Sequence, residues 1–419
     1  MRLRTDQLIK PLESAIQNDA HELENFIFEF VKIRSENPPG RHYRMCCDFL
    51  CSYLAKFGLE PIVHSFQVPG REEPTFAVQA FLGTEGPTVY FHGHYDVVPA
   101  SETSQFFPVI KDGNMFGRGT ADMKAGLGLM LFAVKALKEC GAPLPGRIGL
   151  TFVPDEETGG AAGSQLLLQQ GILGKHGIAM FTAEPTGGMV WNGSRGALSL
   201  KITVGGKAIH VGQHYKGINA FEAMVELANR LLQHKIKVEA RQTGYAITPD
   251  AARSSVMLIG GMVAGGSNFN VVPDRCTFTV DRRINPEESL EMEEEELMKT
   301  IEHAPPSGAS VEVEVLQRAP SSASDSQSAA ARKLARSAAL VLKEEPSFEL
   351  RFELCPGLLE TRFYAHQHIP AFAYGPGLLS VAHGPHEFVN LKKTRDFSLI
   401  YALTAYDILS GSEQGFTES

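Results

Sequence analysis

The chain has 419 residues, 43% of them hydrophobic and 21% charged, and 48 acids against 39 bases give a formal charge of −9. This composition excludes a mostly disordered chain, a collagen-like repeat and a disulfide scaffold, and at about 150 residues per domain it suggests two or three domains. The acidic balance argues against a broad nucleic-acid surface, which needs basic patches to neutralise phosphates.

The N-terminal stretch MRLRTDQLIKPLES carries charge and lacks the apolar core of a secretion signal. No window approaches about 18 consecutive apolar residues, so no membrane span is expected. Six cysteines (Cys46, Cys47, Cys51, Cys140, Cys276 and Cys355) form no CxxC pair. They read as free thiols in a reducing, cytoplasmic setting.

Leu23, Phe26, Ile27 and Phe30 recur at helical spacing, and the helix should stop before Asn37-Pro38-Pro39-Gly40. A second helix is expected over about 43–57. Thr88-Val89-Tyr90-Phe91 reads as a buried strand, 125–140 as a helix, and 148–153 and 178–181 as further buried strands. Strands alternating with helices predict a mainly parallel α/β sheet. The pattern changes near residue 197. Leu198–Val204, Thr277–Asp281 and Val311–Val315 alternate apolar and polar residues, with helices expected at about 218–234 and 287–302. This predicts a small α+β unit inserted into the larger domain. The expected division is 1–196 and 318–419 for the α/β domain and 197–317 for the insert. Ala319–Ser324 should be a polar linker, followed by a helix over about 326–343. The acidic run at 287–296 reads as a solvated helix face, since consecutive glutamates fan around a helix.

The chemistry-bearing residues follow the predicted strands. His94 and Asp96 come directly after the strand at 88–91. Asp155, Glu156 and Glu157 follow 148–153, and Glu184 follows 178–181. Asp122 lies in a glycine-rich loop before a helix, and His383 lies in Ala382-His383-Gly384-Pro385-His386-Glu387. Ligands of open α/β sheets bind at the carboxyl ends of strands. Each motif alone could be a helix cap or a solvated loop. Together they supply imidazoles and carboxylates of the kind that two Zn²⁺ ions sharing one carboxylate require. His92 is expected on the strand face opposite His94, outside the site.

In order along the chain stand GHYDVVP (93–99), GRGTADMKAG (117–126), PDEETGG (154–160), AEPT (183–186), NVVP (270–273), DRR (281–283) and HGPHE (383–387). With this set the sequence resembles the di-zinc hydrolases that include acetylornithine deacetylase, succinyl-diaminopimelate desuccinylase, aminoacylase and the glutamate carboxypeptidases. The resemblance runs from about residue 20 onward. It implies Asp122 as a bridging carboxylate, His94 and Glu184 on one zinc, and Glu157 and His383 on the other. It further implies that Asp96 orients His94 and that Glu156 is the general base and acid. Two zinc ions per subunit are implied, with cobalt or manganese possible in the same ligands. The insert resembles the family's lid or dimerisation domain. Within it His210 matches an oxyanion-stabilising histidine, and Asn270 and Arg283 match positions that hold the substrate carboxylate. Gly357 occupies a substrate-loop position, but Leu358, Leu359 and Glu360 depart from the family's smaller residues there.

The implied activity is cleavage of the amide bond of an N-acyl amino acid. The alternatives are a dipeptidase or carboxypeptidase of the same family, or a non-catalytic metal-binding relative. A homodimer through the lid is implied, with hinges near Gly196 and Ser321. No nucleic-acid or membrane partner is expected.

Overall fold

A computed structural model describes residues 5–302, 308–342 and 350–411. The last residue of the helix expected over 326–343 lies outside them. The chain divides into two compact units. The first is Met1–Asn192, Ser324–Phe352 and Phe363–Ser419, and the second is Gly193–Ala323 with Glu353–Arg362. Residues 193–196, 318–323 and 353–362 thus group with the second unit, although the sequence division set them in the first.

The first unit is built on a sheet. Its strands are β1 (Ile62–Phe66), β2 (Thr75–Gly83), β3 (Thr88–His94), β4 (Arg147–Val153), β5 (Gly177–Thr182) and β6 (Ala371–Ala373), in the order β1-β2-β4-β3-β5-β6, with Val190–Ser194 beyond β6. The neighbours β4, β3, β5 and β6 run parallel. β1, β2 and Val190–Ser194 add antiparallel flanks. The mainly parallel α/β class expected from the sequence is the one observed. Both sheet faces are covered, which is why the central strands are apolar without a break. Val89 and Phe91 of β3 enter a core shared with helices α1 (Ala20–Val31), α2 (Tyr43–Lys56), α3 (Lys124–Glu139) and α4 (Leu391–Gly411). Tyr90 enters the opposite core with Val153, Leu167, Met180 and Tyr364. α3 is buried from Lys124 through Val134, which explains why its sequence is apolar on every side. Gly126 lets it approach the sheet, because a Cβ there would stand 2.8 Å from the Ala183 carbonyl oxygen.

The second unit holds a four-stranded antiparallel sheet in the order Val256–Gly265, Arg275–Ile284, Gly196–Gly205 and Ser310–Ala319. Helices Ala220–Glu239 and Leu290–Glu302 share a separate core with it. The strand at 256–265 has no counterpart in the sequence reading. Its register slips between Ile259 and Val263, at Gly260 and Gly261, and a bulge of this kind breaks the alternation by which strands are read. The expected linker contains a short strand, Ser322–Ala323, paired antiparallel with Gly193 and Ser194.

Candidate metal centre

Each loop of the site leaves the carboxyl end of a parallel strand or enters a helix beside one. His94 ends β3, and Asp96 follows in the next loop. Pro154–Glu157 leave β4, and Glu184 follows β5. Asp122 precedes α3, and His383 lies in a turn after β6. Residues up to 289 positions apart (His94 and His383) therefore converge, because the four parallel strands lie side by side.

His94 is buried, and its Nδ1 lies 3.0 Å from the backbone oxygen of Asp96 and 3.5 Å from its Oδ1. A carbonyl oxygen only accepts, so Nδ1 carries the proton. Nε2 then faces Asp122 Oδ1 at 3.1 Å, Glu184 Oε1 at 3.9 Å and Glu156 Oε2 at 4.0 Å. On the other side of Asp122, His383 Nε2 lies 3.3 Å from Asp122 Oδ2 and 3.2 Å from Glu157 Oε2. Two groups of ligand atoms result, His94–Asp122–Glu184 and Asp122–Glu157–His383, each within 4.8 Å of one another. A neutral imidazole nitrogen pointed at carboxylate oxygens is repelled by them unless a proton or a cation lies between. These nitrogen and oxygen donors suit zinc and its borderline neighbours. The residues present therefore fit a pair of metal ions sharing Asp122.

With protons in place of cations, the titration of the cluster follows its contacts. Burial opposes charge on His94, but hydrogen bonds to Asp122 and Asp96 and the charges of Glu184 and Glu156 hold its pKa well above the ordinary value. Hydrogen bonds to Asp122 and Glu157 push His383 up to about 10. Burial would raise Asp122, yet the two imidazoles hold it far below the usual carboxylate range. Burial pushes Glu157 up, against the hydrogen bond from His383. The pKa of His383 is higher folded than unfolded, so its contribution to stability is full below pH 6.5 and is lost as pH rises towards 10. His94 and Glu157 act in the same sense. Asp122 contributes above its unfolded value near 3.8 and loses that contribution in acid. Chelator-treated protein should therefore melt at progressively lower temperature from pH 6.5 to 9.5. Zinc added at the alkaline end should restore stability and release protons. Scanning calorimetry across that range, with and without zinc, checks this; a flat profile in the chelated protein would contradict it.

Sequence reasoning left out the groups that hold these residues. The Asp96 carboxylate accepts the backbone N–H of Glu156 (3.2 Å), that of Glu157 (3.2 Å) and the amide of Asn37 (2.9 Å). Asp96 thus anchors the acidic loop as well as His94. Asn37 belongs to Asn-Pro-Pro, whose only sequence signal was the end of a helix. Asp155, in left-handed backbone at φ 75°, receives Arg71, Thr158 Oγ1 at 2.8 Å and the Ala162 N–H at 2.8 Å. Gly375 presses on the backbone before Pro185, since a Cβ there would stand 2.3 Å from the Glu184 carbonyl oxygen.

The placement expected for His92 is corrected. Residues two apart on a strand share a face, so His92 and His94 are on the same side of β3. His92 is buried deeper along the strand, against Tyr364 Oη at 3.1 Å and Ser164 Oγ at 3.3 Å.

The remaining candidates belong to the second unit. His210 is exposed, and its Nδ1 accepts the Gly212 N–H at 3.1 Å. Asn270 lies beside it: the Val211 N–H donates to the Asn270 carbonyl oxygen at 2.9 Å. Arg283 is not brought together with them. It pairs in register with Ala197, whereas the loop of His210 follows Gly205, the partner of Arg275 at the other end of the strand. Eight strand positions, at about 3.3 Å each, separate the two ends. Arg283 Nη2 donates to Asp281 Oδ2 at 2.9 Å. Gly357 is half-buried, with only Cys355 Sγ, at 3.8 Å, near a Cβ built there.

The model of Peptidase family M20/M25/M40 matches residues 90–407. The chain belongs to this metal-dependent family and is a hydrolase. A probable succinyl-diaminopimelate desuccinylase of Staphylococcus epidermidis is 27% identical over 296 residues, 66% of this chain and 71% of that one. Human carnosine dipeptidase 1 superposes with a TM-score of 0.74 at 16% identity, over 96% of this chain and 100% of its own. YXEP of Bacillus subtilis, described as a dinuclear metal-binding peptidase, superposes with a TM-score of 0.65 at 16% identity, over 94% and 99%. At these identities the structural likenesses establish the fold. Among the described residues, no helix is long and apolar enough to cross a membrane.

Proposed function

We propose that the chain is a two-metal amidohydrolase that cleaves the amide bond of an N-acyl amino acid. One observation carries the reading: the two oxygens of Asp122 each face one imidazole, His94 at 3.1 Å and His383 at 3.3 Å. In this reading His94, Asp122 and Glu184 hold one zinc, and Asp122, Glu157 and His383 hold the other. Cobalt and manganese are compatible with the same donors.

When bound, the ions polarise the amide carbonyl and acidify water. Asp96 keeps the proton on His94 Nδ1, so that Nε2 keeps a free lone pair to offer a metal ion. Glu156 takes a proton from the attacking water and returns it to the leaving amine. Glu156 is suited to this because its backbone N–H is tied to Asp96 while its side chain faces the site. His210 is the candidate donor to the developing oxyanion. Asn270, Arg283 and Gly357 are alternative candidates for the substrate carboxylate, since Asn270 and Arg283 stand by opposite ends of the strand Arg275–Ile284; a guanidinium fork suits Arg283 to the task.

The desuccinylase names of the sequence relatives support the acyl-amino-acid reading. The dipeptidase neighbours support the alternative, a short peptide substrate. A non-catalytic metal binder is disfavoured by Glu156 standing beside Glu157. Free cysteines throughout the described chain suit a cytoplasmic setting. A panel of N-succinyl and N-acetyl amino acids and dipeptides, assayed with zinc-loaded protein, tests the reading. Chelator-sensitive turnover of one class is expected, and protein that holds two ions yet hydrolyses none of them would refute it.

The inserted unit is proposed as lid and dimerisation domain. Val256–Gly265 is a sheet edge whose Leu258, Met262 and Val263 are exposed. The helix packed on it exposes Phe221, Leu232 and Ile236. An edge strand beside apolar side chains is a surface that a second copy can cover. Ile236→Glu combined with Val263→Glu should convert a dimer into a monomer in sedimentation. A wild-type protein that already sediments as a monomer would exclude the dimer.

A further inference from the structure

Arg118 and Glu387 form a buried ion pair that the metal-centre residues do not account for. Arg118 Nη1 donates to Glu387 Oε2 at 2.5 Å, and both side chains are within 2% of full burial. Burying two opposite charges carries a desolvation cost that their attraction does not reliably recover, so such a pair is weak evidence for stability and needs another explanation. Its hydrogen bonds supply one. Glu387 Oε1 accepts the backbone N–H of Ala121 at 2.9 Å and that of Asp122 at 3.1 Å. Arg118 Nη2 donates to the backbone oxygen of His383 at 3.0 Å. Gly117 N–H donates to the Glu387 backbone oxygen at 3.0 Å. One ion pair thus ties the backbone carrying Asp122 to the backbone carrying His383. The His383 turn needs such support, because its residue has left-handed backbone at φ 62°, a conformation that costs energy for a non-glycine residue.

His94 and Glu184 have other anchors. His94 ends a central strand and is fixed by Asp96, and the Glu184 backbone is packed against Gly375. His383 sits in a turn and is half-exposed.

We infer that Arg118 and Glu387 are positioning residues for one of the two metal sites, setting the approach of His383 to Asp122 and thereby the affinity of the Asp122–Glu157–His383 site. The inference rests on the two-metal reading above. Removing partners of this kind around a metal site costs about 10–100-fold in affinity.

The test is a cobalt titration followed by its visible absorption bands, with bound metal counted by atomic emission. The double variant Arg118→Met/Glu387→Gln is informative because it leaves neither charge unpaired in the interior. Wild type should bind two equivalents. The double variant should bind one with wild-type affinity and the second about 10–100-fold more weakly. Arg118→Lys keeps the cation but cannot hold both Glu387 and the His383 carbonyl, so it should weaken the same equivalent by a smaller factor. It also serves if the double variant does not fold. Wild-type affinity at both sites in a folded variant overturns the inference, as does equal weakening of both. A wild-type protein that binds fewer than two ions instead refutes the two-metal reading itself.

Discussion

Glu156→Ala is expected to lower kcat by about 10²–10⁴-fold, the usual contribution of a positioned acid–base group, while both metal ions remain bound. The two neighbouring glutamates differ in what they face. Glu157 Oε2 lies 3.2 Å from His383 Nε2, within the second ligand group. Glu156 Oε2 lies 4.0 Å from His94 Nε2 and belongs to neither group. A carboxylate that is not needed as a ligand can carry a proton between water and the departing amine. The loop should survive the change, because its anchor to Asp96 is the backbone N–H of residue 156. The variant should therefore keep its metal content and melting temperature and lose turnover. Retained activity would falsify the role, and loss of one metal equivalent would reassign Glu156 as a ligand.

Asp122→Asn should have a still broader effect. Its two oxygens serve both ligand groups, so one substitution should weaken both ions together, by at least the 10–100-fold seen for lesser changes around metal sites. It should also change the metal-free protein. The hydrogen bond to Asp122 is the largest cause of the raised His383 pKa of about 10. With an amide in its place, that pKa should fall towards 6.5, held partly up by Glu157. Imidazole proton resonances followed through a pH titration of chelated protein would measure this. An unchanged His383 pKa would mean that Glu157 alone supports the charge, and that Asp122 is not shared as the geometry indicates.

The metal-centre candidates were legible in the sequence for a physical reason. A strand buried on both faces is a short apolar run, and a charged residue directly after it stands where such a sheet offers its ligand site. His94, Glu156, Glu157 and Glu184 all follow this rule, and Asp122 stands out among the glycines before an apolar helix. Asn37, Arg118 and Glu387 follow no such rule. Their task is a hydrogen bond to a segment far away in sequence, and local pattern carries no record of it. The strand at 256–265 was hidden for a different reason, since its glycine bulge removes the two-residue period. The misplacement of His92 was an error in applying that period, not a gap in the signal.

The order of the ligands along the chain has a consequence for biosynthesis. The Asp122–Glu157–His383 group takes its last member from the loop after β6, itself a central strand paired to β5. A growing chain that has reached residue 350 already carries His94, Asp122, Glu157 and Glu184, yet it lacks both the strand that completes the sheet and the imidazole that completes the second group. On the ribosome, the Asp122–Glu157–His383 group therefore cannot form until the chain has grown through β6 to residue 383, more than two hundred residues beyond its first two members.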